Sequence, residues 1–586
     1  MEGTDRSSDK PTGLAVVLAL ARQMVSRDAR VRGDVVIGAG LELVGIGLGI
    51  GGPFALKLLV DGLYTGQIEA FPMMVYVGLF VLTWTGANVV GVWRMIYSTR
   101  VIDRLSQQLI TAALESHLPE AARARDADRG QVGGQLERLP FSLMVVVDGL
   151  IWRAVPLLIQ VLGSLWLLAG IIPLRYALIM AVVLAGYVGA TWLGATRHQA
   201  LAQTANAAIS VLSRNFTDVL RNARRVVLNG AVALEIDRLE GQFADKRLAN
   251  GRMMVGLLNM SLCQYGLVGG GVLLLLVLAG LDVLQHKMTV GDFVLLQAYA
   301  FRLASPLSGF GFILSQSAIS IANIADVMCL CSEPERTAPV SAAKPGPAAI
   351  SLRNVSFGYG PGLPGLQDIN LDIPAGSFTV IVGPNGSGKS TLAQIISGLL
   401  EPSVGTVTVA GEDMALAPRS ARHMRVLYVP QLTGLFARSM LSNALYPPTA
   451  QTEHGLADLL AQWNFYEAGR QVDLRLEVGE QGERLSGGQI QKLELARIAG
   501  IKVPAILLDE STSALDPASE EAVISTLRQT FGGQTTLVLI THRIRLAELA
   551  DQVLFLKGGK LVRQGTHAAL LTDSAAYASL WRSAGP

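Results

Sequence analysis

The chain has 586 residues, a formal net charge of +2, 50% hydrophobic residues and only 16% charged residues. So small a net charge gives no electrostatic footprint for nucleic acid, and so apolar a composition excludes an ordinary soluble enzyme along the whole length. Long apolar runs crowd the N-terminal part, and the rest has a globular composition, so the chain reads as a membrane half followed by a soluble half.

The first 33 residues read as a tail and a short interfacial helix, Leu14 to Val25, followed by Arg27, Arg30 and Arg32. Residues 34–332 are expected to form a transmembrane domain. Its six spans are expected at 34–61, 71–97, 141–171, 173–196, 254–281 and 290–318, each able to cross a ~30 Å hydrocarbon core. Basic residues set the orientation. Arg100, Arg104, Arg123, Arg125, Arg129 and Arg138 fall between the second and third spans. Arg197, Arg214, Arg221, Arg224, Arg225, Arg238, Lys246, Arg247 and Arg252 fall between the fourth and fifth. The opposite connections hold only Arg175 and Lys287. Basic loops stay in the cytoplasm, so both termini and the soluble half are expected inside a multi-pass plasma membrane, the inner membrane of a bacterium. The cytoplasmic connections are long. The helices are therefore expected to run on past the bilayer and to turn near 117–131 and 221–229, where they could reach a soluble domain.

Within the first span, Gly45/Gly49 and Gly47/Gly51 have the four-residue spacing that permits close helix contact. Glu42, Arg94, Asp148 and Arg302 are the candidate substrate-cavity residues, with intramembrane pairing as the plainer reading; a charge facing lipid is expensive. Lys57, Asp61 and Arg153 lie near span ends, where they could snorkel. Cys263, Cys329 and Cys331 read as unpaired thiols.

A Pro- and Ala-rich linker, 333–348, leads into a domain over 349–586. Tyr359 precedes a strand-like run that ends at Val382. The loop Gly383-Pro384-Asn385-Gly386-Ser387-Gly388-Lys389-Ser390-Thr391 then fits G-x-x-x-x-G-K-[ST] at every fixed position, and a helix-like run follows. Such a loop turns backbone N–H groups and a helix N-terminus onto phosphate oxygens. The lysine reaches the outer phosphates, and the hydroxyl can ligate Mg²⁺. A strand ending at Gln431 comes next, then Leu485-Ser486-Gly487-Gly488-Gln489 at a helix start. The apolar strand Ala505 to Leu508 ends in Asp509 and Glu510. A carboxylate in that position can hold Mg²⁺, and its neighbour can take a proton from water. Ser513 to Asp516 follow, and a final strand leads into Thr541-His542-Arg543.

In this order the motifs resemble the ATP-binding cassette, over roughly Ile350 to Leu580. The resemblance implies that Tyr359 stacks on adenine, that Gly383 to Thr391 are the Walker A loop and that Gln431 is the Q-loop glutamine. It assigns Leu485 to Gln489 to the LSGGQ signature and Asp516 to the D-loop. Ser390, Gln431 and Asp509 become Mg²⁺ ligands, and Glu510, His542 and Lys389 the catalytic set. One departure is Ile490-Gln491-Lys492, where the family often places an arginine. Six spans before one cassette is the exporter half-transporter plan, similar in layout to exporters of heavy-metal and glutathione-linked compounds. The implied fold is a multidomain membrane protein, an all-α six-helix transmembrane domain followed by an α/β phosphate-loop ATPase. The implied activity is ATP-driven export of a small molecule, peptide or lipid by a homodimer, or by a dimer with a related half-transporter, in a lipid bilayer. Import on the same plan and a gating role are the alternatives. ATP and Mg²⁺ are the implied ligands.

Overall fold

The computed structural model describes residues 13–26, 28–66, 68–121, 126–307, 310–331, 346–360, 365–417, 422–431, 434–448, 451–466 and 471–583. The chain divides into a helical unit and a cassette unit made chiefly of residues 333–586. The expected linker falls almost wholly outside the described residues.

The helical unit contains α1 (Gly13–Ser26), α2 (Ala29–Thr65), α3 (Ala70–Ala121), α4 (Asp126–Met144) and α5 (Val155–Ile171). It continues with α6 (Leu174–Arg221), α7 (Ala223–Leu228), α8 (Val232–Leu284), α9 (Val290–Leu307) and α10 (Phe310–Leu330). Among the described residues, five helical stretches are long and apolar enough to cross a membrane: Ala29–Thr65, Ala70–Leu118, Val132–Ile171, Leu174–Gly194 and Val232–Leu284. The sixth expected span, 290–318, falls on α9 and α10 and is only partly described. Asp28 caps α2 by accepting from Arg30 N at 2.9 Å, and Gly66, at φ 65°, ends it in the left-handed conformation. Between α6 and α8 the Asn222 and Asn229 side chains fold back on the carbonyls of Asp218 and Arg225. These bonds cap the two helix ends and turn the chain.

The short helix α1 is amphipathic. Val16, Leu20 and Met24 are fully or nearly fully buried in a core with residues of α2, α3, α4 and α10, while Leu14, Leu18 and Val25 stay exposed. The helix therefore docks on protein with one face and is free on the other. Two expectations about the spans are corrected. Lys57 and Asp61 do not simply snorkel: Lys57 Nζ lies 3.4 Å from Asp61 and 3.1 Å from Asp292, and Asp61 also accepts from Gly291 N at 2.8 Å. These bonds tie α2 to α9. The Gly47/Gly51 pair meets nothing within 4 Å, whereas Gly38, Gly49 and Gly52 are the sites of close approach.

A ten-residue π-helical stretch, Val145–Ala154, joins α4 to α5. The π repeat bonds i to i+5, and that spacing stands Arg153 over Asp148, with Nε to Oδ2 at 3.0 Å. The same stretch turns Trp152 into the core against Gly38, where an added Cβ would lie 2.9 Å from the indole.

The cassette unit has two sheets. An antiparallel sheet runs β2-β1-β4-β5, with β1 Ile350–Phe357, β2 Leu366–Ile373, β4 Val404–Val409 and β5 Glu412–Asp413. A second sheet runs β10-β9-β3-β8-β7-β6, with β3 Phe378–Val382, β6 Val426–Val429, β7 Ala505–Asp509, β8 Thr536–Ile540, β9 Gln552–Lys557 and β10 Lys560–Gly565. In this sheet β6, β7, β8, β3 and β9 are parallel, and β10 pairs antiparallel at the edge. β3, β7 and β8 are buried at every residue, which explains their unbroken apolar runs. The helices here are α11 (Lys389–Ile396), α12 (Met440–Ala444), α13 (Glu453–Gln462), α14 (Gly487–Ala499), α15 (Pro517–Phe531), α16 (His567–Asp573) and α17 (Ala575–Ser583). Each fully buried Val, Leu or Ile in this core contributes about 1.5–3 kcal/mol.

The most extensive helix pairing in the membrane unit is α6 with α8. It closes at Gly271, where an added Cβ would sit 2.3 Å from Val183 Cγ2, whereas Gly269 on the same helix faces open space. Valine is stiff at χ1 and cannot swing away. Gly271→Leu is expected to destabilise the unit by about 1–3 kcal/mol through overpacking, seen as a lowered melting temperature in lipid nanodiscs. Gly269→Leu should leave that temperature unchanged.

Candidate nucleotide site and membrane cavity

The phosphate loop leaves the buried strand β3 and enters α11. Gly386 and Gly388 take φ values of 74° and 95°, a region that side chains rarely adopt. Gly383 passes so close to β9 that a Cβ would meet Leu556 O at 2.2 Å. Lys389 Nζ donates to the loop's own carbonyls, Gly383 O at 2.9 Å and Pro384 O at 3.1 Å. Burial, partly offset by Glu510 and Asp509, pulls the Lys389 ammonium below the usual lysine range. Ser387 Oγ is buried without a hydrogen-bond partner. Loop, lysine and orphaned hydroxyl fit a phosphate chain, and the cleft over them has a volume of about 650 Å³.

The second half of the site comes from strand ends. Asp509, the last residue of β7, is 2% exposed. Its Oδ1 accepts from Ser390 Oγ at 3.1 Å and its Oδ2 from Tyr428 OH at 2.9 Å. Burial raises the Asp509 carboxyl above the usual range, and the hydrogen bonds from Tyr428 and Ser390 draw it back down. Burial, reinforced by the neighbouring carboxylate, pushes the Tyr428 phenol up, so it stays a donor. Glu510 follows at φ 50°, with its N–H on Ile540 O at 3.0 Å. A non-glycine residue in that region is strained. The conformation turns its carboxylate away from that of Asp509, onto Gln431 Nε2 at 2.6 Å and toward His542 Nδ1 at 3.3 Å. Tyr359 is half exposed, stacks edge-on with Phe357 at 4.9 Å and bonds Thr391 Oγ1 at 3.1 Å. Asn385, Thr391, Gln431 and Glu510 share the cleft with Tyr359 and the phosphate loop.

The signature lies in a different place. Ser486 caps α14 in a reciprocal box: Ser486 Oγ accepts from Gln489 N at 3.2 Å, and Gln489 Oε1 accepts from Ser486 N at 2.8 Å. Leu485 is buried behind it. Ser486, Gly487, Gly488, Gln489 and Asp516 line an open cleft of about 1640 Å³ that shares no residue with the phosphate-loop cleft. Asp516 caps α15 by accepting from Ser519 N at 2.9 Å, and that contact holds its carboxyl below the usual range.

Four residues join the site that motif reading left without a role. Tyr428 orients Asp509. Gln491 bridges to the D-loop, accepting from Ala514 N at 2.8 Å and donating to Ser513 Oγ at 3.3 Å. Glu520 is buried and accepts from Thr512 Oγ1 at 2.5 Å. Arg543, next to His542, pairs with Glu520 at 2.8 Å and donates to Ser513 O at 3.2 Å. Ser513 and the backbone beside His542 are thus tied together by one ion pair whose acid is buried and whose arginine is partly exposed.

In the helical unit the expected cavity residues divide. Glu42 and Asp148 share Arg94, at 2.8 Å and 3.2 Å, and Asp148 also takes Arg153. Arg302 lies across a cavity of about 490 Å³ lined by Glu42, Trp84, Asn88 and Gln160.

Two substitutions check this geometry. If Asp509 holds Mg²⁺, Tyr428→Phe is expected to raise the Mg²⁺ concentration for half-maximal ATP hydrolysis about 10-fold, at the low end for a residue that orients a metal ligand. Saturating Mg²⁺ should restore most of the rate. Glu520→Gln removes the charge partner of the partly exposed Arg543 and should cost about 1–3 kcal/mol, read as a lowered denaturant midpoint.

A family model described as ABC transporter matches residues 366–513. The mitochondrial iron-sulfur clusters transporter atm1 of Neurospora crassa is 26% identical over 577 residues, 92% of this chain and 79% of that protein. The mitochondrial ABC transporter B family member 24 of Arabidopsis thaliana is 29% identical over 468 residues, 78% of this chain and 68% of that protein. The human ATP-binding cassette sub-family B member 6 is 26% identical over 489 residues, and the alignment spans 58% of its length. The solved structure of a bacterial Atm1-family ABC exporter with ATP bound matches with a TM-score of 0.82 at 25% identity, over 95% of this chain and all of that one. With a phosphate loop, a signature and the Asp509-Glu510 pair on one domain, fused to a bundle of membrane-spanning helices, the chain is an ABC half-transporter with a single ATP-hydrolysing cassette.

Proposed function

We propose that two copies of this chain form an ATP-driven exporter in a bacterial plasma membrane, with the cassettes in the cytoplasm. The observation that carries this reading is the separation of the two clefts. Ser486, Gly487 and Gly488 point their helix N-terminus into a cleft that their own phosphate loop does not share. A second copy supplies the missing half, and two-fold symmetry makes both sites alike. The excess of basic residues in the connections between spans two and three and between spans four and five supports a cytoplasmic cassette.

In this reading Ser390 and Asp509 hold Mg²⁺, with Gln431 beside them; the ion neutralises phosphate charge when bound. Lys389 leaves its loop carbonyls for the outer phosphates. Glu510 accepts a proton from the attacking water, and His542 fixes the carboxylate and meets the terminal phosphate. The partner's signature donors offset the charge that develops there. Closing and parting of the cassettes shift the helical unit between two global states that differ in ligand preference. The helical unit moves a small molecule, peptide or lipid outward.

Glu510→Gln is expected to slow hydrolysis by about 10²–10⁴-fold, the range for a lost general base, and to accumulate an ATP-bound dimer on size exclusion. A mixing experiment tests the shared site. Lys389→Ala and Gly487→Asp chains are each expected to be inactive as homodimers. A mixed dimer keeps one site with Lys389 from one chain and Gly487 from the other, so hydrolysis should return. Mixed dimers that stay inactive, with both chains folded and associated, would overturn the shared site.

A further inference from the structure

We propose that the cavity between α2, α3, α5 and α9 binds the anionic head of an amphiphilic ligand through Arg302. The inference starts from charge balance. Glu42, Arg94, Asp148 and Arg153 form a set of two acids and two bases, and every member is engaged, at 2.8 Å, 3.2 Å and 3.0 Å. Arg302 lines the same cavity as Glu42. Among the described residues it has no carboxylate partner, and its Nε is buried without a hydrogen bond.

Arg302 is not free to leave. At 1.5 Å per residue it lies roughly 18 Å along α9 from Val290, too deep in a ~30 Å core for its side chain to reach water along the helix. Its guanidinium rests on the backbone of α2 at Gly49, where an added Cβ would be 2.1 Å from Nη2. One turn earlier on α9, Tyr299 is fully buried and donates to Ile50 O at 2.6 Å, locking α9 on α2. Gly49 therefore opens a seat for the guanidinium, and Tyr299 fixes its height. An uncompensated cation at membrane depth is costly, and a bidentate anion is the partner that its planar fork suits best.

The rest of the lining selects what carries the anion. Trp84 and Ile46 give apolar walls, and Asn88 and Gln160 add neutral hydrogen-bonding groups. Glu42, already spent on Arg94, adds no net charge but repels a second anion close to it. The combination fits one carboxylate or phosphate on an apolar body and disfavours a bare inorganic ion. The bilayer's own anionic lipids and a free amphiphilic solute offer the same chemistry.

The test uses the full chain in phosphatidylcholine nanodiscs without nucleotide. Three probes share one brominated eleven-carbon chain: 11-bromoundecanoate, 11-bromoundecanol and 11-bromoundecyltrimethylammonium. Bromine quenches tryptophan, and the Trp84 signal is the difference between wild type and Trp84→Phe. The carboxylate is expected to half-saturate quenching at a concentration about tenfold lower than either other probe, the order of one charge-assisted contact. Arg302→Gln should remove that advantage and Arg302→Lys should keep part of it. Gly49→Ala, which displaces the guanidinium while leaving its charge in place, should weaken the carboxylate as well and serves if Arg302→Gln does not fold. Adding phosphatidylglycerol to the nanodiscs identifies the source of the anion. Competition in wild type but not in Arg302→Gln assigns the seat to a lipid head group, and no competition assigns it to a free solute. Equal quenching by all three probes, or a carboxylate affinity unmoved by Arg302→Gln and Gly49→Ala, would overturn the proposal. The meaning of this site as a cargo site rests on the transport reading. Because the assay contains no nucleotide, its failure removes the anion seat alone, whereas failure of the mixed-dimer rescue removes the shared ATP site alone.

Discussion

The cassette depends on one constraint: the carboxyl ends of β3, β7 and β8 must finish side by side. Parallel pairing sets Phe378 to Ile381 against Leu537 to Ile540, and Ala505 to Asp509 against Thr536 to Ile540. That register brings Asp509 under Ser390 and leaves Glu510 bonded through its N–H to Ile540. The left-handed backbone at Glu510 then separates two neighbouring carboxylates. One turns down to a serine and a tyrosine, the other up to a glutamine and a histidine. Glu510 still raises the proton affinity of Asp509, the like-charge effect of two neighbouring carboxylates. The strain at one residue thus gives the two acids different partners, as the proposed division between a cation-holding and a proton-accepting carboxylate requires.

The helical unit solves a different problem with similar means. Apart from Arg302, charges in the expected spans of the described helices sit in ion-paired sets, each of which also fastens helices. Lys57, Asp61 and Asp292 tie α2 to α9. Glu42, Arg94 and Asp148 tie α2 to α3 and to the π-helical stretch. In hydrocarbon, apolar contacts discriminate poorly between helix partners, and polar contacts with small residues supply specificity. Gly38, Gly49 and Gly52 supply the small-residue part, each admitting one side chain from another helix.

The motifs of the cassette were legible because each is a local event: a loop with fixed glycines, a capping serine, a strand that ends in acids. Tyr428, Gln491, Glu520 and Arg543 were not, because their roles depend on which strands are neighbours. Tyr428 reaches Asp509 only because β6 pairs with β7 across a long stretch of intervening sequence, and no periodicity in β6 announces that pairing. In the helical unit the long apolar runs announced helices, but four-residue spacing chose Gly47/Gly51 and Gly45/Gly49 alike. Only the neighbours decide that Gly49 meets a guanidinium while Gly47 meets nothing. Lys57 looked like a snorkelling end residue because its second carboxylate, Asp292, is distant in sequence.

The capping box at Ser486 has a consequence for the proposed shared site. The Ser486 oxygen already accepts a bond from Gln489 N, and the Ser486 N–H is taken by the Gln489 side chain. A hydroxyl has one proton to give beyond the lone pair it uses for capping. A phosphate oxygen can therefore receive that proton, together with the free N–H groups of Gly487 and Gly488, while the helix stays capped. Docking and release then require no fraying or refolding of α14. In the proposed dimer that contact is made and broken at little cost in conformational order, as a latch whose spring never has to be rewound.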